Sequence, residues 1–189
     1  MKKKITLTII CAVLSCVCLI GTTFAWLMDK TETINNTFTI GNVDITLEET
    51  ENLDLKMVPG APITKDPEVG VVAGSEACWL FVKIEKSANL DDFITYTVDS
   101  AWELVPGETN VYYIKVDTAG NTYPVLTDNQ VTVKDTVTKD MMDGIKNGTA
   151  TAPKLSFTAY AIQQTGFIDG AKTEAENAAA AWAVAKNAT

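Results

Sequence analysis

The 189-residue chain contains no histidine and no arginine. Without histidine there can be no Ser-His-Asp triad, no Cys-His pair and no HExxH zinc site. GxSxG and SxxK are both missing, as is any glycine-rich phosphate loop. The nearest approach to an aspartic-protease signature, Asp117-Thr118-Ala119-Gly120, has one residue too many and falls at a predicted strand end, where a plain turn is expected. Cysteine is scarce and poorly placed for pairing: Cys11, Cys16 and Cys18 stand close to the start, and only Cys78 follows them.

What the chain does have begins with Lys2, Lys3 and Lys4, followed by Ile5 to Ile20, an uncharged and mostly apolar run of 16 residues. Thr23-Phe24-Ala25 then supplies acceptable residues at −3 and −1 of a cut between Ala25 and Trp26. This is the pattern of a secretory signal peptide over residues 1–25. The run is short against the roughly 20 residues of a membrane-spanning helix. The alternatives are an uncleaved anchor or a lipoprotein attached through Cys16, and the latter cysteine lies inside the apolar run instead of at its end. Cleavage confines membrane contact to the signal and leaves Cys78 as the one cysteine, so no intramolecular disulfide is possible even in an oxidising exterior. The expected location is outside the cell, in a matrix or at the surface.

Removal of the three N-terminal lysines leaves 12 of the 15 lysines against 24 acids, a formal net charge of −12. That balance repels nucleic acid and anionic membrane surfaces. The remaining 164 residues suffice for one domain with a substantial core, here placed at 38–189 behind a segment 26–37.

Most of this domain reads as β. Val43 to Glu48 alternates apolar and polar residues, as a half-buried strand does. Phe38 and Ile40 lie on the opposite parity, and a bulge or tight turn at Gly41-Asn42 would return both sets to one core. Cys78 to Lys86 is apolar at every even position, and Trp79 and Phe81 make its first half apolar on the other face too. Such a strand belongs in mid-sheet with something packed on each side. Further strands are predicted over Leu53–Val58, Val69–Ala73, Ile94–Val98, Val111–Asp117, Gln130–Lys134 and Lys154–Gln163. Pro59-Gly60, Pro106-Gly107, Ala119-Gly120-Asn121 and Asn147-Gly148 supply turns between them. The spacing points to a mainly all-β fold, an antiparallel sandwich or jelly roll.

Helical pieces are predicted at Asn89–Phe93, Lys139–Lys146 and Ala171–Lys186. In the last, Ala171, Ala175, Ala178, Ala179 and Trp182 fall on one face. Trp182 argues for docking on the sandwich; the alternative is an alanine-rich tail fraying in solvent. Cys78, in strand alternation with Leu80 and Val82, reads as a small buried hydrophobe. Acid clusters at Glu48, Glu49, Glu51 and Asp54, and at Asp91-Asp92, have oxygen ligands for calcium but no EF-hand spacing, and solvated turns explain them more simply. Paired-carboxylate glycosidase chemistry has no aromatic-lined cleft to support it. No catalytic, cofactor-binding or metal-binding residue is therefore assigned.

One resemblance carries function. Gly21-Thr22-Thr23-Phe24-Ala25, an acid at Asp29, and Asn36-Thr37-Phe38-Thr39-Ile40-Gly41-Asn42-Val43-Asp44-Ile45 resemble the N-terminal signature of the TasA/camelysin proteins. Met57-Val58-Pro59-Gly60 with Thr64-Lys65-Asp66 is similar to that family's later segment. The resemblance implies an exported Gram-positive protein matured by a SipW-type signal peptidase, a jelly-roll fold, and self-assembly into homopolymeric matrix fibres. It also carries the metallo-endopeptidase label of camelysin, which the lack of histidine opposes. A monomeric surface-binding module is the third reading. If fibres form, the free N-terminus is the expected assembly element. Trp26, Met28, Ile34, Phe38 and Ile40 share parity, and with Leu27 they offer an apolar strand for a neighbour's sheet edge.

Overall fold

Cys78–Lys86, the segment apolar on both faces, lies at the centre of the largest sheet, and the rest of the molecule is arranged around it. The computed structural model describes residues 28–31 through their backbone, and 43–50 and 56–187 in full. In chain order the strands are β1 (Met28–Thr31), β2 (Ile45–Glu48), β3 (Pro62–Thr64), β4 (Glu68–Val71), β5 (Cys78–Lys86), β6 (Ile94–Thr95), β7 (Glu103–Leu104), β8 (Val111–Val116), β9 (Thr122–Pro124), β10 (Gln130–Val133) and β11 (Leu155–Gln163). The helices are α1 (Leu90–Phe93), α2 (Lys139–Lys146) and α3 (Glu174–Ala185), with a single 3-10 turn at Thr127–Asn129.

The strands pair antiparallel throughout, in a five-stranded sheet ordered β1-β11-β5-β8-β7 and two three-stranded sheets, β3-β10-β6 and β2-β4-β9. The two small sheets share one core with the large one. Leu80, Val82 and Ile84 of β5 and Phe157, Ala159 and Ala161 of β11 bury against Ile45, Ile63, Val69 and Val131. The opposite face of the large sheet carries Trp79, Phe81, Tyr113, Tyr160 and Ile162, and α3 covers it. Period-2 alternation thus sorts β5 and β11 between two cores. Burying a side chain of this size contributes about 1.5–3 kcal/mol.

Helix α3 starts at a capping box: Thr173 Oγ1 accepts from Glu176 N, and the Glu176 carboxylate accepts from Thr173 N at 2.8 Å. That cap leaves Ala171 outside the helix. Of the predicted face, Ala178 and Trp182 are buried, joined by Ala181 and Ala185, and Ala175 and Ala179 pack at its edge, so the helix docks through Trp182. Helix α2 occupies the predicted 139–146; Thr138 caps it, and Met141, Met142 and Ile145 lean on the first core. It stops at Asn147-Gly148, where Gly148 takes φ +73°.

Of the predicted strand Leu53–Val58, residues 53–55 lie outside the described residues, and Lys56 to Val58 form no strand. The short strands β3, β7 and β9 carry too few residues to show an alternation. The predicted Ile94–Val98 shrinks to two strand residues, with Val98 held to Leu126 by an isolated bridge.

Candidate assembly edge

The outermost strand of the large sheet is β1. It pairs with the second half of β11 in the register Met28↔Ile162, Asp29↔Ala161, Lys30↔Tyr160 and Thr31↔Ala159. Strand β11 is nine residues long, so β1 accompanies fewer than half of them. On its other side β11 pairs along its whole length with β5, from Leu155↔Lys86 to Gln163↔Cys78. The edge that β1 occupies is thus a long strand held rigidly from behind, the geometry on which an added strand finds its backbone partners already aligned. Met28 is the one predicted assembly residue among those described; Trp26, Leu27, Ile34, Phe38 and Ile40, and the cleavage residue Ala25, lie outside them.

The end of β11 is fastened by a residue the sequence analysis passed over. Gln164 is buried, and its Nε2 donates toward Val116 O at 3.0 Å, Asp117 Oδ1 at 3.1 Å and Cys78 O at 3.3 Å. One amide therefore ties β11 to the ends of both β5 and β8. The Lys115 ammonium and this amide hold the Asp117 carboxyl below the usual carboxylate range. A glutamine one residue past a strand carries no sequence signal for such a role, because its acceptors come from distant segments. The other edge strand, β7, has two residues, and its exposed Leu104 is followed closely by Pro106, which discourages further pairing there.

The remaining candidates resolve into structure. Cys78 is fully buried, and burial pushes its thiol up to about 12, the opposite of an activated nucleophile. Asp117 to Gly120 form bends that bring Gly120 N to Val71 O at 2.8 Å. In the acidic run, Glu49 pairs with Lys65 at 2.7 Å, and Thr50 bonds through its backbone N and hydroxyl to Asp66. The Thr50 hydroxyl, foremost, holds Asp66 below its ordinary range. Asp91 pairs with Lys86 at 2.5 Å. Among the described residues no group of three or more His, Cys, Asp or Glu side chains is placed to hold a metal ion. None of the described helices is long and apolar enough to cross a membrane.

Hollows open on the surface of the described residues, one apolar and one polar among them. An apolar groove of about 390 Å³ lies between the start of β11 and the β3-β10-β6 sheet, lined by Met57, Ile63, Val131 and Leu155 among others, with Lys65 and Lys154 at its margin. A polar one of about 260 Å³ is bordered by Glu103, Tyr113, Lys115, Asp117 and Glu174. In the latter Tyr113 donates its hydroxyl to Glu103 at 2.7 Å, and burial, then that bond, raise the phenol well above its usual range.

Fold and edge together define a mostly β protein of three antiparallel sheets with a short N-terminal strand on the outside. Residues 1–75 match the family model described as camelysin metallo-endopeptidase. The likeness to the TasA/camelysin proteins is thereby shown over the N-terminal part of the chain. No curated protein and no solved structure gives a match.

Proposed function

We propose that this protein is an exported structural subunit that assembles into extracellular matrix or cell-surface fibres by exchange of its N-terminal strand. The observation that carries the reading is the position of β1: the outermost strand, next to an apolar N-terminal segment, four residues long on a nine-residue partner. Within one chain Met28 lies opposite Ile162; exchange keeps that register while taking the strand from a neighbour. Head-to-tail donation does not close on itself and therefore gives a filament. The N-terminal likeness to TasA/camelysin proteins supports the same reading, as does the export pattern of residues 1–25. A SipW-type signal peptidase is then the processing partner, and no cofactor is needed.

The test is electron microscopy of the mature protein with and without residues 26–33. The truncated form should be a folded monomer that does not extend fibres. Unfolding on truncation would assign the segment to its own subunit's core, and normal polymerisation would sink strand exchange.

The match to the camelysin metallo-endopeptidase family favours a second reading, a secreted or cell-surface metallo-endopeptidase. A chain with no histidine lacks the usual nitrogen ligands for zinc. Casein cleavage that EDTA abolishes, and that persists through repurification, would establish the peptidase and displace the fibre subunit.

A further inference from the structure

Helix α2 has no fully buried side chain. Met141 and Met142 stand four and three residues before Ile145, so the three share one helix face, and it is this face that leans on the first core. Lys139, Asp140 and Lys146 are exposed. The bonds at the two ends of α2 are local: Thr138 caps its start, Asn147 N bonds Asp143 O at 2.9 Å, and Gly144 O accepts from Thr149 N at 2.9 Å and Ala150 N at 3.0 Å. Eight residues, one of them glycine, fall short of the about 12–15 at which an isolated helix is even marginal in water. Three half-buried side chains therefore hold α2 in place, and two of the three are thioethers. The thiol of Cys78 is closed off by burial, and the other described methionine side chain, Met57, lies in a loop on which no helix depends.

We propose that Met141 and Met142 form a modification site for hydroperoxides, and that their oxidation releases α2 from the domain while the sheets stay folded. In the step itself a lone pair on Sδ takes one oxygen of hydrogen peroxide and the O–O bond breaks. The sulfur is oxidised by two electrons to the sulfoxide, and the peroxide is reduced to water. A sulfoxide oxygen needs hydrogen-bond donors that an aliphatic core does not offer, so each modified side chain is driven from its contact into water. Ile145 then remains as the one apolar anchor of a helix too short to persist alone. Reduction of the sulfoxides by methionine sulfoxide reductases restores the thioethers and with them the contact. This holds whether or not the protein forms fibres.

The test treats the mature protein with hydrogen peroxide and follows peptide mass and amide hydrogen exchange together. Met141 and Met142 should each gain one oxygen, and exchange over 139–146 should then accelerate at least about tenfold while the amides of β5 and β11 keep their protection. Met141→Leu with Met142→Leu, which keeps the apolar contact without the sulfur, should hold α2 through the same treatment, whereas Met57→Leu should respond as the unsubstituted protein does. Treating the oxidised protein with methionine sulfoxide reductases should return the protection, a readout that needs no variant to fold. Methionines that stay unmodified in the native protein overturn the proposal, as does oxidation that leaves exchange in α2 unchanged. Acceleration spread evenly over the whole chain, or equally large in the double leucine variant, places the effect elsewhere and overturns it too.

Discussion

The Trp182 indole N–H donates to Glu108 Oε1 at 2.8 Å, joining the last helix to the loop between β7 and β8 across 74 residues of sequence. The same oxygen lies 3.7 Å from Lys186 Nζ. The indole ring rests on Phe81 and Tyr160, with centroid separations of 5.3 and 5.1 Å. One residue thus gives α3 both its apolar anchor and its direction. Trp182→Ala should destabilise the domain by about 3–5 kcal/mol, whereas Glu108→Ala, which strands the buried indole N–H, should cost about 1–3 kcal/mol. Urea unfolding measures both, and a Glu108→Ala loss equal to that of Trp182→Ala would refute the ranking.

Gln164 offers a sharper test of the edge. Gln164→Leu keeps the volume but withdraws the donor from Val116 O, Cys78 O and Asp117. A loss of about 1–3 kcal/mol is expected, with amide hydrogen exchange accelerating first at the 163–164 end of β11. A neutral substitution would show that the amide is dispensable.

Cys78 should ignore thiol reagents. With burial holding its thiol at about 12, the folded protein should leave DTNB unreacted at pH 8 and release one thiol equivalent per mature chain in denaturant. Rapid reaction in the native state would contradict its position in the core.

Acid should weaken the tether between Thr50 and Asp66. The folded carboxyl lies below its ordinary 3.8, mainly through the Thr50 hydroxyl. Its contribution is therefore complete above about 3.8 and is lost as pH falls through the lower folded value. Thr50→Val should flatten that part of the stability–pH profile while leaving the profile above pH 5 unchanged in shape. An unaltered acid limb would remove the hydroxyl from the account.

Export with cleavage between Ala25 and Trp26 is checked by intact-mass analysis of secreted protein. Trp26 should be the first residue. A mature form retaining Phe24 would disprove the assignment.

Sequence by itself determined the elements whose signal is local and long. Alternation over Cys78–Lys86 marked a strand buried on both faces, and the run Lys139–Lys146 marked a helix ended by Asn147-Gly148; both have those bounds in the fold. The burial of Cys78 followed from its parity. The Thr173–Glu176 capping box was also present in the sequence, and would have set the start of α3 three residues beyond Ala171, at Glu174. Tertiary structure alone decided the rest. Strands of two or three residues such as β3, β7 and β9 hold no periodicity and exist because a longer neighbour supplies backbone partners. The face α3 buries was chosen by Phe81 and Tyr160 beneath it, not by its nearly uniform alanines. Gln164 and Glu108 acquired their roles from acceptors and donors tens of residues away, which no local pattern encodes, because a hydrogen bond's partner is set by where the chain returns and not by what stands beside it.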